Sequence, residues 1–411
     1  MVPAKHGNDR YLDLNYIKSL RDKASNATRI EHVQRTLAAA AGVYNDKVRG
    51  SNAGLAKTVF MTVVAFKHEK KSIGHYQVYF RNFVCFAKHY DIDLVVYILH
   101  HQLPDVESEI RSLEQLGIRV LTYPDELFWS VVMTKSSLVM AGKTFAEYRG
   151  DSPSFVGYGA LAMLVPQLEA LTMGYNVIYF DVDIGLVQDP VPYLMRGDAD
   201  FVVSIEQRAC PEEYPTSRQL KENWEQMEPN TGVMLVRATP QGVGMYRNWL
   251  KRIVKTNVMN DQIVFDRDNR PIQIDIKDDG RLVWAETNFT SSFTPNCNWD
   301  YKNPAPTPRV TPDAATYCFL SEMVFQNGMI SFQCSSKRST RDDWHIEMVR
   351  QVEPVQVNGT GPWLRLPVAV HANYCNAKTH ELNTRGLWLL DEKNAHGHAH
   401  SRNGSATATG R

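Results

Sequence analysis

The chain has little that would direct it to a membrane or to nucleic acid. No apolar run approaches the roughly 20 residues that a membrane-spanning helix needs, and the opening MVPAKHGNDR lacks the apolar core of a signal peptide. Its 45 Lys and Arg residues are balanced by 45 Asp and Glu residues. We therefore expect no membrane segment in this chain and no nucleic-acid partner. Any recognition of phosphate must come from a local group of residues.

Cysteine is also scarce, with six residues in 411. An even number allows disulfides without establishing them. Four Asn-x-Ser/Thr triplets begin at Asn26, Asn288, Asn358 and Asn403 and would suit a secretory lumen, although such triplets also arise by chance. These features leave the compartment open.

The length and the 43% hydrophobic composition support a substantial core. Apolar residues at near-helical spacing between 10 and 50 predict a helical N-terminal stalk or brace over residues 1–56. Residues 57–391 are interpreted as one α/β domain. Residues 392–411 are of low complexity and are predicted to be disordered.

Apolar strands and amphipathic helices alternate in the first half of the chain. Thr58–Phe66 and Leu94–Leu99 are typical of buried strands, and Tyr76–Tyr90 between them is typical of a helix. This order predicts a parallel sheet. A further helix over Gly159–Met173 leads into another strand, whereas residues 286–345 are rich in Pro, Asn, Ser and Thr and predict long loops.

Two aspartates end the short apolar strand in NVIYFDVD, namely Asp181 and Asp183. Because side chains alternate along a strand, both carboxylates should point the same way at its carboxyl end. That edge is where open α/β sheets bind ligands, and paired carboxylates suit a hard divalent cation. The pattern predicts a cation that holds a diphosphate. The simpler alternative is a pair of aspartates that cap the following turn.

Four further segments accompany the acidic pair: Asn230-Thr231-Gly232-Val233, Asn260-Asp261-Gln262, PVAVHANYCNAK ending at Lys378, and RGLWLL around Trp388. In this order with DVD, they resemble the nucleotide-diphospho-sugar transferases of the GT-A type. The resemblance is greatest to the retaining group that includes plant cell-wall xylosyl- and arabinosyltransferases and protist galactosyltransferases, and it covers about residues 57–391.

The resemblance implies an α/β fold with a Rossmann-like mixed, mostly parallel sheet flanked by helices. It also implies a nucleotide-sugar donor, UDP-linked to galactose, xylose or arabinose, and a glycan or glycoprotein acceptor. The location implied is the Golgi or the secretory lumen, although without a signal or anchor in the sequence a cytoplasmic location stays open.

The resemblance also assigns a cation site. Asp181, Asp183 and His371 are expected to ligate the cation against the donor's phosphates. Because imidazole is softer than carboxylate, this set favours Mn²⁺ over Mg²⁺.

Other residues are expected around the donor sugar and the acceptor. Asn230 is expected to bind the donor sugar, with Asp261 on the sugar hydroxyls and Gln262 at the anomeric face. An amide is a poor nucleophile, so Gln262 is expected to steady positive charge at the anomeric carbon while the acceptor attacks from the leaving group's face. The expected acceptor contacts are Glu206, Glu286 and Trp299.

Basic residues are absent from Asp151 through Met195, whereas relatives often place one on the helix before the acidic pair. Lys378, seven residues after His371, is therefore the first candidate to bind the diphosphate. The second candidates are Lys67, Lys70 and Lys71.

Each motif also has a simpler interpretation. His371 fits a core histidine, Asn230 a turn residue, and Asp261-Gln262 a helix N-cap.

Two other functions fit parts of the pattern. A haloacid-dehalogenase-like phosphatase also uses a strand followed by D-x-D, here with Asp278-Asp279 as a later acidic pair. However, that motif opens its domain and has Thr or Val where this chain has Gly185. A non-catalytic sugar-binding pseudo-enzyme would be marked by a lost cation ligand, and all three ligand positions are filled.

Overall fold

The computed structural model describes the chain over residues 27–47, 57–65, 73–100, 106–124, 153–195, 198–206, 228–256, 262, 265, 272–276, 282–286, 292–293, 315–320, 325–328, 331, 355–356, 363–364, 368–373, 378–384 and 386–390. The helices of these residues are α1 (Ala27–Lys47), α2 (Ile73–His89), α3 (Val106–Gln115), α4 (Pro153–Thr172), α5 (Val191–Leu194), α6 (Pro240–Thr256) and α7 (Lys378–Thr384).

The strands of the same residues are short and numerous. They are β1 (Thr58–Ala65), β2 (Leu94–His100), β3 (Arg119–Pro124), β4 (Asn176–Phe180), β5 (Ile184–Leu186), β6 (Phe201–Glu206), β7 (Glu228–Val236), β8 (Ile272–Ile276), β9 (Leu282–Glu286), β10 (Ser292–Phe293), β11 (Thr316–Phe319), β12 (Phe325–Gln326), β13 (Val355–Gln356), β14 (Trp363–Leu364) and β15 (Ala369–His371).

The main sheet has eight strands in the order β10-β11-β6-β7-β4-β1-β2-β3. Strands β1 and β2 pair in parallel across α2, as the strand–helix–strand pattern predicts. Only β7 breaks the parallel order of this sheet, because it runs antiparallel to both β4 and β6. The predicted α/β class with a mixed, mostly parallel sheet is therefore confirmed.

Helices cover both faces of this sheet, and strand alternation divides the core between them. Phe60 faces the core under α2 and α3, whereas its neighbours Val59 and Met61 face the core under α1, α4 and α6. All three side chains are fully buried. The near-continuous apolar strands reflect this burial on two faces.

Helix α1 lies against the sheet. Its Leu37 is fully buried, and Arg29 Nη1 lies 2.6 Å from Glu169 Oε1 on α4. The helix begins and ends inside the predicted helical stretch. The boundary at residue 56 stays a prediction, as does the disordered tail, which lies outside the described residues.

The predicted loops of residues 286–345 contain strands in their described part. Strand β11 pairs in parallel with β6, and the two-residue strands β10 and β12 join the main sheet and a smaller sheet. Strands of two to four residues between prolines and asparagines are too short to show alternation, which is why the composition pointed to loops. Cys318 of β11 is disulfide-bonded.

Among the described helices, none is both long and apolar enough to cross a membrane.

Candidate active site

The acidic pair lies in the turn that follows β4. The strand itself starts promptly after α4, because Gly174 adopts a φ of +86° that only glycine takes freely and Tyr175 N–H donates to Ala170 at 3.1 Å. Strand β4 ends at Phe180, one residue before Asp181. Asp181 N–H then donates to the Gly232 carbonyl at 2.8 Å, which fixes the first aspartate against β7.

A separate three-stranded sheet, in the order β12-β15-β5, places His371 beside the acidic pair. Strand β5 begins directly after Asp183, and it pairs antiparallel with β15 so that His371 lies opposite Ile184. Ala372 N–H extends this pairing by donating to the Asp183 carbonyl at 2.9 Å. A histidine 188 residues away in sequence from Asp183 is thus placed beside it by strand register.

The three predicted ligands form one cluster, with one ligand atom from each within 4.8 Å of the others. His371 Nε2 lies 3.1 Å from Asp183 Oδ1 and 3.6 Å from Asp181 Oδ2. The Asp183 and His371 side chains are nearly enclosed, whereas the Asp181 side chain is 37% exposed. The cluster is therefore a cation-sized group of oxygen and nitrogen atoms that opens to solvent on the Asp181 side.

Burial and neighbouring charges shift the pKa values of the three ligand side chains in different directions. Partial burial raises the pKa of Asp181, and the neighbouring Asp183 carboxylate adds to this rise, whereas His371 opposes it. Burial would also raise the pKa of Asp183, but the charges and hydrogen bonds of His371 and Lys378 lower it well below its usual value. Burial alone would lower the pKa of His371, whereas the two carboxylates raise it above its ordinary value.

Lys378 is the fourth predicted residue at this site. It is the first residue of α7, and its Nζ lies 2.5 Å from Asp183 Oδ2, on the other oxygen from the one that faces His371. The same Nζ lies 6.0 Å from the centre of the Tyr79 ring, which makes a T-shaped contact with the ring of Trp388 in the RGLWLL segment. Helix α7 therefore supplies the positive charge that the chain before the acidic pair lacks.

Asn230 and Glu206 lie behind His371. Asn230 Oδ1 accepts a hydrogen bond from Gly232 N–H at 3.0 Å and lies 3.1 Å from His371 Nδ1. The Asn230 amide nitrogen donates to Glu206 Oε2, which also accepts from Asn373 Nδ2 at 3.3 Å. Asn230, Glu206 and His371 are buried.

Gly232 explains why the Asn-Thr-Gly motif ends in glycine. A Cβ at this position would lie 2.4 Å from His371 Cε1 and 2.9 Å from Asp181 Oδ2. Both contacts are far below van der Waals distance, so any larger residue would displace the imidazole or the carboxylate.

The remaining predicted residues are only partly described. Gln262 is helical and partly buried, and Phe265 one turn later packs its ring 4.9 Å from that of Phe201 on β6. The place of Gln262 beside a sugar stays a prediction. Glu286 ends β9, whereas Asp261, Trp299, the three lysines Lys67, Lys70 and Lys71, and the pair Asp278-Asp279 lie outside the described residues.

Two residues that hydrogen-bond to side chains of the candidate site were missed by the sequence interpretation. Tyr179 O–H donates to Asp181 Oδ1 at 2.7 Å, and the alternation of the strand before the acidic pair places it on the face of Asp181. Asn373 joins Glu206 and also accepts from Gly328 N–H at 2.6 Å. It stands two residues after His371 in HANY, so the motif contained the signal.

Comparison with known sequences agrees with this geometry. Residues 165–277 match the sequence model of the nucleotide-diphospho-sugar transferase family. The matched stretch contains the acidic pair, Asn230 and Gln262 and ends before His371 and Lys378. The resemblance to nucleotide-diphospho-sugar transferases is thereby confirmed and supports a nucleotide-sugar glycosyltransferase. The narrower grouping with plant and protist enzymes stays a prediction. No curated protein matches the chain.

Solved structures of low identity also match the chain, with low TM-scores. The glycosyltransferase GlyE of Streptococcus pneumoniae TIGR4 is 13% identical with a TM-score of 0.35, over 82% of this chain and 62% of its own. The chain thus spans less than two thirds of GlyE. Mouse xyloside xylosyltransferase 1 is 10% identical with a TM-score of 0.37, over 77% of this chain and 98% of its own. An active-site mutant of LgtC is 10% identical with a TM-score of 0.35, over 82% and 98%.

Proposed function

We propose that the chain is a cation-dependent, retaining glycosyltransferase that moves galactose, xylose or arabinose from UDP to a glycan or glycoprotein. The observation that carries the proposal is the convergence of Asp181, Asp183 and His371 within 4.8 Å at the carboxyl edge of the sheet. Two carboxylates and an imidazole fit a divalent cation, and the imidazole favours Mn²⁺. When bound, such a cation neutralises charge on the departing diphosphate.

The residues around the cation have separate roles in binding the diphosphate and in orienting the ligands. Asp181 is the most exposed of the three ligands and faces the opening through which a diphosphate would enter. Lys378 Nζ lies beside Asp183 and offers a second positive charge to the phosphates. Tyr179 holds the Asp181 carboxylate by its Oδ1 and leaves Oδ2 toward His371.

Bond breaking leaves positive charge on the sugar and negative charge on UDP. Gln262 steadies the anomeric carbon and Asp261 holds the sugar hydroxyls. The acceptor hydroxyl attacks from the face that UDP leaves and gives its proton to the leaving β-phosphate oxygen. Glu206 has its Oε2 engaged by Asn230 and Asn373. The acceptor contacts expected of Glu206, Glu286 and Trp299 remain part of the proposal.

We also propose that the protein is located in a secretory compartment, the Golgi. Disulfides persist mainly in oxidising compartments, and Cys318 is disulfide-bonded. The four Asn-x-Ser/Thr triplets agree with this location. A shift in mobility of the cellular protein after removal of N-glycans tests it, and an unshifted protein contradicts it.

The test of activity is release of UDP from UDP-galactose, UDP-xylose and UDP-arabinose by the intact chain with Mn²⁺, with Mg²⁺ or with EDTA. Asp183→Asn and His371→Gln should abolish the Mn²⁺-dependent release. Asp93→Asn is the matched control, because Asp93 pairs with Arg119 at the start of β2. Chelator-resistant release, or full activity in either ligand variant, contradicts the cation site. Inversion of the anomeric centre contradicts retention.

Gln262 needs its own measurement. Gln262→Ala should lower turnover by about 10-fold or more with little change in donor affinity, since its interaction forms as charge develops at the anomeric carbon. Kinetics at saturating donor measure this effect. An unchanged turnover number in Gln262→Ala would contradict a role for Gln262 at the anomeric carbon.

A further inference from the structure

The imidazole of His371 has two nitrogens, and only one can face a cation. Nε2 faces Asp183 and Asp181, whereas Nδ1 lies 3.1 Å from Asn230 Oδ1 on the opposite side of the ring. Which nitrogen carries the proton decides whether Nε2 has a lone pair to donate. The surroundings of Asn230 determine this.

The Asn230 amide can adopt only one orientation here. Gly232 N–H is a backbone donor and contacts the Oδ1 position at 3.0 Å, so this atom must be an acceptor. Glu206 Oε2 accepts on the other side, so the atom that faces it must be the NH₂ group. Reversing the amide would place donor against donor and acceptor against acceptor in a buried site, and each mismatch would leave an unsatisfied polar group.

We infer that Asn230 is a positioning residue that holds the proton of His371 on Nδ1 and so presents the Nε2 lone pair to the cation. Oδ1 has no hydrogen to give, so a hydrogen bond at 3.1 Å requires Nδ1–H as the donor. Glu206 acts one step further back, because its carboxylate fixes the amide. The inference rests on the proposed function, since it needs a cation at this site.

This role differs from a direct contact with the donor sugar. Both acceptor positions of Oδ1 and one Nδ2 hydrogen are used by Gly232, His371 and Glu206. A sugar hydroxyl could meet only the second Nδ2 hydrogen. The loss of Asn230 is therefore expected to act first on the cation, before any donor is present.

The first experiment measures cation affinity without donor. Asn230→Leu keeps the approximate size of the side chain and removes its polar atoms, so Mn²⁺ affinity by calorimetry should fall about 10- to 100-fold. The double variant Asn230→Asp with Glu206→Gln exchanges amide and carboxylate and keeps an acceptor toward Nδ1, although Asn373 Nδ2 loses its acceptor on residue 206. It should therefore recover part of the affinity that Asn230→Leu loses. An Asn230→Leu protein with unchanged Mn²⁺ affinity overturns the inference, as does a double variant no better than Asn230→Leu that still melts like the wild type in EDTA.

The second experiment identifies the ligating nitrogen. With ¹⁵N-histidine and ¹¹³Cd²⁺, coupling to cadmium should appear on Nε2 of His371 while Nδ1 keeps its proton, and His371→Gln assigns the signal. Cadmium on Nδ1, or failure of the intact chain to bind any divalent cation, overturns the inference. Correct coupling in a protein that hydrolyses no nucleotide sugar would leave this assignment standing and remove the proposed function.

Discussion

Lys378 and Asp183 are 195 residues apart, yet Lys378 Nζ lies 2.5 Å from Asp183 Oδ2. The lysine occupies the outer oxygen of the carboxylate and leaves Oδ1 toward His371. Its charge therefore balances the acidic cluster without filling the space between the three ligand atoms. This arrangement separates two effects that are commonly measured together, namely affinity for the cation and affinity for the donor.

Removing Lys378 should change these two affinities in opposite directions. Lys378→Met leaves the acidic pair more negative, so Mn²⁺ alone should bind as well as or better than in the wild type. Donor affinity in the presence of Mn²⁺ should fall about 10-fold or more, because a charge-assisted contact to phosphate is lost. Calorimetry with Mn²⁺ alone, and then with UDP, measures both.

Lys57→Met is the matched control, because Lys57 Nζ also lies 6.0 Å from a tyrosine ring centre, that of Tyr175. Lys57 precedes β1 and so lies at the edge opposite the candidate site. It should leave both affinities unchanged. A Lys378→Met protein that binds UDP like the wild type would assign Lys378 a purely structural role.

Gly232 provides a steric test of the cluster. In Gly232→Ala the new Cβ would lie 2.4 Å from His371 Cε1 and 2.7 Å from Nδ1, so the imidazole must move away from the carboxylates. Mn²⁺ binding should be lost even though no ligand is changed. Titration of the folded variant with Mn²⁺, monitored by electron paramagnetic resonance, measures this loss.

Gly42→Ala makes the same change in an open place on α1, where nothing lies within 4 Å of the new Cβ. It should keep full Mn²⁺ affinity and stabilise the helix by about 0.5–1 kcal/mol. Wild-type cation affinity in Gly232→Ala would contradict the placement of His371 beside β7.

Local pattern was enough to predict strands β1, β2 and β4, the acidic pair and the helix that leads into it, whereas the mixed order of the sheet was predicted through family resemblance. These features depend on strand alternation and helix spacing within about ten residues. The approach of His371 and Lys378 was predicted only through family resemblance, since it depends on the register of β5 against β15. The contacts from Asn230 to His371 and from Asn373 to Glu206 span 141 and 167 residues, so the motifs mark these residues without indicating their partners.

Proton competition should make cation affinity depend on pH. The pKa of His371 is raised in the cation-free protein, chiefly because two carboxylates outweigh the effect of burial. The cation must displace that proton, so Mn²⁺ affinity should rise about 10-fold per pH unit below the raised pKa and level off above it. Calorimetry in buffers of different ionisation enthalpy should detect the released proton.

His371→Gln should remove this proton release, together with most of the affinity. Heats that are identical in all buffers between pH 6 and 8 would show that His371 is neutral before the cation binds.

The same shifts set the stability of the cation-free protein. A raised His371 pKa contributes stability that is complete below the unfolded value of about 6.5 and is lost as pH rises through the folded pKa. The lowered pKa of Asp183 contributes stability above the unfolded value of about 3.9 that is lost as pH falls through the folded pKa. The raised pKa of Asp181 contributes stability that is complete below about pH 3.9 and is lost as pH rises through its folded value. In EDTA the melting temperature should therefore decline on the alkaline side, above about pH 6.5.

Mn²⁺ should reverse the alkaline decline, because the cation replaces the proton as the positive partner of the carboxylates. Melting curves at pH 6 and 9, with Mn²⁺ and with EDTA, make the comparison. His371→Gln in EDTA is the control, since it should lose the alkaline decline. A wild-type protein whose melting temperature in EDTA is the same at both pH values would mean that His371 and the acidic pair do not interact as their distances indicate.

Helix α1 should contribute to the stability of the sheet. Leu37→Ala removes a fully buried side chain and should cost about 2–5 kcal/mol in the free energy of unfolding, whereas Gln34→Ala on the exposed side should stay within about 0.5 kcal/mol. Urea unfolding measures both. Because Leu37 packs in the same core as strands β1 and β2, the loss should shift the whole transition. An early, separate transition for α1 would mean that the helix is an independent stalk.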